Sequence, residues 1–150
     1  MRTITPIAAL LLMILPTVML GQQSGSEGLP RTPSPAGAAA YIISPQAGEH
    51  VTSPVTVKFG LSGMGVAPAG VENANTGHHH LLIDVAELPP DNLPLPATDQ
   101  IRHFGGGQTE ATIELPPGRH TLQLVLGDAR HVPHNPPVRS EKITITVVAK

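Results

Sequence analysis

The chain has 150 residues with 9 Lys and Arg against 11 Asp and Glu, 8 His, one Tyr, two Phe, and neither Cys nor Trp. This length predicts one domain, and without clustered cations or many aromatic rings we expect no nucleic-acid binding and no polybasic docking to membranes. The lack of Cys excludes disulfide scaffolds, cysteine-type zinc sites and thiol catalysis, which leaves histidine as the conspicuous functional residue type.

The first 26 residues have the pattern of an export signal. Arg2 precedes an uncharged run from Thr3 to Ser26 with the apolar stretch IAALLLMILP inside it. Pro6 precedes that stretch and Pro16 ends it, and it is shorter than the roughly 20 residues of a membrane-spanning helix, which favours a cleaved signal peptide. Because no clean cleavage site follows, an uncleaved anchor at residues 1–26 stays an alternative. We expect an exported protein, periplasmic or extracellular, with no other membrane attachment.

A flexible linker is predicted for residues 27–39, which are rich in Gly, Ser, Pro and Ala and have no apolar periodicity. From residue 40 to residue 150 the pattern changes to short apolar and polar alternation separated by Pro and Gly. This second region is the predicted domain.

Alternation with period two predicts strands with one buried face. It is clear at 54–61, 109–115, 120–127 and 141–148, and weaker at 41–44, at 79–85 and in a short segment around 101–104. No segment after residue 40 has a helical apolar stripe free of Pro and Gly. Half-buried strands must cover their apolar faces with a second sheet. The predicted fold is therefore an all-β, immunoglobulin-like antiparallel β-sandwich of about seven strands.

The strand assignment also predicts the interior and one long connection. Residues 86–102 contain four prolines and are predicted to cross between the sheets as an extended loop. The predicted interior consists of inward-facing apolar residues of the strands: Val55, Val57, Phe59, Leu81, Ile83, Ile113, Leu122, Leu124, Ile143 and Ile145.

In an immunoglobulin-like topology, alternate loops meet at the same end of the sandwich. Six histidines lie in three segments that this rule brings together: His78 to His80, His103, and the pair His131 and His134. Strand alternation places His78 and His80 on one face and His79 on the other. The remaining two belong to the opposite end, where His50 is predicted at the surface and His120 as a core histidine bonded to backbone.

Several neutral imidazoles at one place are what a borderline ion such as Cu(II) or Zn(II) requires. The predicted ligands are His78 or His80 together with further histidines and one carboxylate: His103, His131, His134 and Asp128. Asp84 is a second candidate carboxylate, and Met64 could add a thioether for Cu(I). The alternative interpretation is that these histidines are solvated polar residues of loops.

Three long motifs carry a resemblance to a known family. The stretches GMGVAPAGVENANTGHHHLLID, HFGGGQTEATIELPPGRHTLQLVLGD and HVPHNPP resemble the exported bacterial family known as domain of unknown function 4399, over about residues 41–148. The resemblance implies a domain that stands alone behind a signal peptide, and it implies no established activity.

A looser likeness links LPPGRHTLQLVLGDARH to periplasmic copper-resistance sandwich domains. In those domains an Asp-x-His pair binds Cu(II) together with an N-terminal histidine. Here Asp128 and His131 are spaced one residue wider, and the first histidine is His50. An amino-terminal histidine brace, as in copper monooxygenases, is therefore not expected.

Three functions follow as hypotheses. The first is an exported histidine-rich protein that binds Cu(II) or Zn(II) for sequestration or delivery, with affinity that falls below roughly pH 6 as imidazole is protonated. The second is a non-catalytic structural or interaction module without metal. The third is a mononuclear metal enzyme with an open coordination position. Nucleophilic catalysis is not expected, because the sequence has no GxSxG motif and no Cys.

Overall fold

A computed structural model describes residues 28–150, and in this range the protein is built from strands without a helix. The strands are β1 (Ala39–Ser44), β2 (His50–Thr52), β3 (Val55–Ser62), β4 (Gly65–Val66), β5 (Thr76–Ile83), β6 (Ile101–His103), β7 (Glu110–Ile113), β8 (Gly118–Gly127) and β9 (Ile143–Val148). The described part of the chain contains no helix long and apolar enough to cross a membrane. The predicted signal segment at residues 1–26 lies outside the described residues.

The strands form two sheets, which confirms the all-β prediction. One sheet has the order β1-β3-β7, and the other has the order β2-β9-β8-β5-β4 with β6 also paired to β5. Most neighbours are antiparallel, whereas β2 runs parallel to β9 and β4 runs parallel to β5. These two short strands raise the number to nine in the described range, compared with about seven predicted.

One shared interior holds the two sheets together. It contains Val55, Val57 and Phe59 from β3 and Leu122, Leu124 and Leu126 from β8, with further apolar residues of β5, β7 and β9. Of the predicted interior residues, only Ile143 is half-buried rather than buried, although it still packs against this cluster. The period-two assignment of inward faces is thus confirmed for the main strands.

The predicted crossing of residues 86–102 between the sheets is wrong. The chain leaves β5 and returns beside it, so that β6 pairs antiparallel with β5 in the same sheet. The physical reason is a second apolar cluster on the outer face of that sheet, where Leu95 and Ile101 are buried against Leu82 and Val125. This return places His103 directly opposite His80.

Part of the predicted linker is attached to the β8–β9 loop. The Thr32 hydroxyl donates to Asp128 Oδ2 at 2.7 Å, and the Asn135 amide donates to Thr32 O at 2.9 Å. The Arg31 guanidinium donates to the carbonyl oxygens of Pro133 and His134. The residues before β1 therefore lie along the loop that carries His131.

Candidate metal centre

Strand β5 presents histidines to both faces of its sheet. His78 and His80 share the outer face with Leu82, whereas His79 points inward, where its ring lies 5.2 Å from that of Phe59. All three histidines are fully buried. The predicted alternation is confirmed, and it leaves two of the three imidazoles at the outer face.

Two other segments bring one histidine each to this face. His103 ends β6 as the register partner of His80. His131 enters from the β8–β9 loop, and its Nδ1 lies 3.1 Å from His78 Nε2. One possible ligand atom from each of the four residues lies within 4.8 Å of the other three. We call this group the four-histidine cluster: His78, His80, His103 and His131.

A tight loop fixes the position of His131. Its backbone has φ 68°, in the left-handed region that only a few per cent of residues other than Gly adopt, Asn, Asp and His most often among them. The His131 amide donates to Asp128 O at 2.9 Å, and Asp128 Oδ1 accepts from the amides of Arg130 at 2.8 Å and Val132 at 3.0 Å. The loop therefore holds an unfavourable backbone conformation at the residue that supplies one imidazole.

A glycine at the end of β8 makes room for the cluster. A Cβ atom at Gly127 would lie 2.6 Å from His80 Cε1 and 3.2 Å from the Cα of His131. Since carbon atoms ordinarily approach only to about 3.5–4.0 Å, no larger residue fits there without moving an imidazole. Gly127 could not be identified from the sequence, because nothing in the sequence shows which side chain lies against a given strand glycine.

Several buried nitrogens of the cluster have no hydrogen-bond partner. These atoms are Nδ1 of His78 and both ring nitrogens of His80. A buried polar atom left unpaired costs about 1–3 kcal/mol, so native structures seldom keep one without a reason. Coordination of an ion is one such reason, because a ring nitrogen without a proton is a metal ligand.

The surroundings keep the buried imidazoles neutral. Burial, together with charge repulsion from His131 and His103, lowers the pKa of His78 to about 4. Burial likewise lowers the pKa of His80 to about 3. The pKa of His103 also falls below its ordinary value, through burial and then through His131. At neutral pH these three rings are in the unprotonated form that binds a metal ion.

The structure does not bring the other two predicted ligands, Asp128 and His134, into the cluster. Burial raises the pKa of Asp128, but hydrogen bonds from Thr32 and two loop amides, with the charge of Arg130, hold it below its usual value. Both carboxylate oxygens of Asp128 already accept hydrogen bonds from Thr32 and from the loop amides. His134 is buried with Nε2 3.1 Å from Thr76 O and Nδ1 3.4 Å from Leu126 O, so it joins β5 to β8.

The remaining candidates lie away from the cluster. His50 is exposed, as predicted. His120 bonds to Pro116 O at 2.9 Å, which confirms the predicted backbone bond, and its Nδ1 also lies 2.7 Å from Asp84 Oδ2. Met64 packs against the interior shared by the two sheets. Asp84 is not a member of the four-histidine cluster.

The arrangement suits an ion that can exchange with solvent. Two of the four imidazoles are buried on a central strand, His131 is half-buried, and His103 is exposed. The buried pair is therefore fixed by the sheet, while the exposed side remains open to an approaching ion or partner. Within residues 28–150 this is the one group of three or more side chains placed to hold a metal ion.

The comparisons with known proteins identify a family without an assigned activity. The family model described as domain of unknown function (DUF4399) matches residues 57–148. No curated protein and no solved structure matches the chain. The matched residues include every member of the four-histidine cluster, so any functional conclusion must come from the chemistry of these residues.

Proposed function

This chain belongs to the family described as domain of unknown function (DUF4399), and we propose that it is an exported protein that binds one Cu(II) or Zn(II) ion on the four-histidine cluster. Its role in this proposal is to sequester or deliver the ion. The observation that carries the proposal is the convergence of four imidazoles within 4.8 Å, with buried ring nitrogens that lack hydrogen-bond partners.

The energetics of the folded protein favour occupation of such a site. Three orphan nitrogens in two buried rings carry an unmet desolvation cost of about 1–3 kcal/mol each. A bound ion would satisfy one unpaired nitrogen of His80 and return part of that cost. Binding would need little proton release at neutral pH, since burial lowers the pKa of both His78 and His80.

Sequestration or delivery is supported by the access to the cluster and by the N-terminal sequence. The exposed ring of His103 borders the solvent side, where an ion can enter and leave without unfolding of the sheet. Arg2 and the following uncharged apolar run favour export to the periplasm or the cell surface. An exported exchangeable site of this kind fits a metal carrier or store.

Calorimetric titration tests the proposal. The protein is purified without a histidine tag, stripped with a chelator and titrated with Cu(II) or Zn(II) at neutral pH. We expect one ion per chain, bound more tightly than micromolar, which corresponds to about 8.2 kcal/mol. The double variant His80→Ala/His131→Ala should bind at least about 100-fold more weakly, because it removes two of the four ligands.

A matched variant separates the cluster from general metal adhesion. His50 is an exposed imidazole outside the cluster, so His50→Ala should bind as the unaltered protein does. If neither ion binds more tightly than about micromolar, or if the double variant binds as well as the unaltered protein, the metal proposal is wrong. The chain would then be treated as an interaction module.

A further inference from the structure

From the arrangement of the rings we infer that the four-histidine cluster is a closed tetrahedral site that takes Zn(II), with every coordination position filled by the protein. This inference rests on the proposed function and makes it specific, since it names the ion and the coordination. It depends on the distances between the four rings, on the elements that carry them and on the ligand types present.

The ring centroids lie at the corners of an irregular tetrahedron. Their six separations are 4.8, 4.9, 4.9, 5.3, 5.7 and 4.5 Å. An ion at about 2.0–2.1 Å from one nitrogen of each ring would place tetrahedral centroids about 5.2 Å apart. In a square arrangement four separations would be about 4.5 Å and the two diagonals about 6.4 Å.

The longest separations show that the cluster is not flattened. The six separations among four rings form three pairs in which no ring is shared. If the rings lay at the corners of a square, one of these pairs would consist of the two diagonals. The pair with the longest mean separation consists of His78–His103 at 4.9 Å and His80–His131 at 5.7 Å. Neither separation reaches the diagonal of about 6.4 Å that a square would require. The His78–His103 separation is no longer than most of the other separations in the cluster.

The ligand atoms need only local adjustment to reach an ion. Nitrogens in a tetrahedral zinc site lie about 3.3 Å apart, and His78 Nε2 and His131 Nδ1 are already 3.1 Å apart. Because all chosen atoms lie within 4.8 Å, the widest pair would close by about 1.5 Å. His103, at the exposed end of the short strand β6, has the freedom to make this adjustment by ring rotation.

The ligand set and its geometry favour Zn(II). Zn(II) has no geometric preference from its d electrons and accepts four imidazoles in a tetrahedron, whereas Cu(II) favours a square or tetragonal arrangement. All four members of the cluster are imidazoles, and the thiolate and thioether ligands that favour Cu(I) are not among them. Four protein nitrogens leave no position for a bound water, so the site is suited to holding the ion rather than to hydrolysis.

Substitution with Co(II) tests the geometry in the intact protein. Tetrahedral Co(II) absorbs visible light much more strongly than six-coordinate Co(II), so we expect an intense visible band that one equivalent of Zn(II) abolishes. X-ray absorption of the Zn(II) protein should show four nitrogens at about 2.0–2.1 Å and no additional oxygen. His50→Ala should give the same band and His80→Ala should lose it.

The outcomes distinguish this inference from the proposed function. A weak six-coordinate Co(II) spectrum, or five or six light atoms around zinc, would overturn the closed tetrahedral site even if the ion still binds at the cluster. A Cu(II) complex with a tetragonal spectrum and all four histidines bound would show that the cluster adopts the geometry of Cu(II), and would overturn the choice of ion. If neither Co(II), Zn(II) nor Cu(II) binds, the proposed function itself is wrong.

Discussion

Replacing Gly127 by Ala should disable the four-histidine cluster while leaving the sheet intact. The added Cβ would lie 2.6 Å from Cε1 of His80, about 1 Å closer than carbon atoms normally approach. His80 is fully buried, so its ring has little room to retreat except out of the cluster. A His80 ring that is pushed out of the cluster can no longer share an ion with the other three imidazoles, so the substitution should remove His80 as a ligand.

We expect Gly127→Ala to weaken metal binding by at least about 100-fold, which equals about 2.8 kcal/mol. The assay is competition for Zn(II) with a chromophoric chelator, alongside thermal unfolding of the metal-free protein. Gly65→Ala is the matched control, because a Cβ there meets only Thr76 Cγ2 at an ordinary 3.5 Å. If Gly127→Ala folds normally and keeps the affinity of the unaltered protein, the assignment of His80 as a ligand is refuted.

Three further predictions concern the interior, the opposite end of β5 and the pH dependence of binding. Leu124 is completely buried, so Leu124→Ala should lower the free energy of unfolding by about 2–5 kcal/mol in denaturant titrations; an unchanged value would contradict its inward assignment. Burial lowers the pKa of His120, but its bonds to Asp84 and Pro116 O outweigh burial and raise it above the ordinary value. The bond to Asp84 therefore stabilises the fold below about pH 6.5, and this contribution is lost as the pH rises through the raised pKa of His120. Asp84→Asn should accordingly lower the free energy of unfolding most at acidic pH. A loss of unfolding free energy that grows as the pH rises would contradict this. Burial lowers the pKa of His78 and His80, so the Zn(II) affinity of the protein should fall less between pH 7 and pH 5 than the Zn(II) affinity of a hexahistidine peptide. An equal fall in the two affinities would contradict the assignment of His78 and His80 as ligands.

The main strands could be predicted because each buries one face and alternates in sequence. Val55, Val57 and Phe59 face the shared interior as the pattern indicates. Strand β5 is buried on both faces, since Leu81 belongs to the shared interior and Leu82 to the outer cluster. The sequence pattern indicated this possibility through its continuous apolar run.

The return of β6 to β5 could not be read from local pattern. It depends on the burial of Leu95 and Ile101 against the outer face of the second sheet, which is a tertiary contact between residues far apart in sequence. The many prolines of this connection indicated an irregular path but not its destination. The consequence for the site is large, because this return is what places His103 opposite His80.

Four of the six residues predicted as ligands lie together in the structure, and alternation combined with loop topology predicted this proximity. Alternation placed His78 and His80 on one face, and the topology placed His103 and His131 at the same end. His134 could not be separated from His131, because they lie in one loop whose backbone decides which imidazole faces the cluster. The hydrogen bonds of Asp128 to loop amides are likewise a property of the folded loop.

The contacts between the segment before β1 and the β8–β9 loop could not be predicted from the sequence. Arg31 and the amide of Asn135 make bonds that involve backbone carbonyl oxygens, and carbonyl oxygens are available at every residue. A segment rich in Gly, Ser and Pro therefore has the composition of a linker whether or not it is attached. Only the folded arrangement shows that it lies along the loop carrying His131.

A crystal structure of the protein grown with Zn(II), with anomalous diffraction collected on both sides of the zinc absorption edge, would show whether the four histidines bind the ion. We expect one strong anomalous peak per chain, surrounded by one nitrogen from each member of the four-histidine cluster at about 2.0–2.1 Å. An absence of density among these rings, or a peak held instead at His50 or by His134 and Asp128, would contradict this expectation.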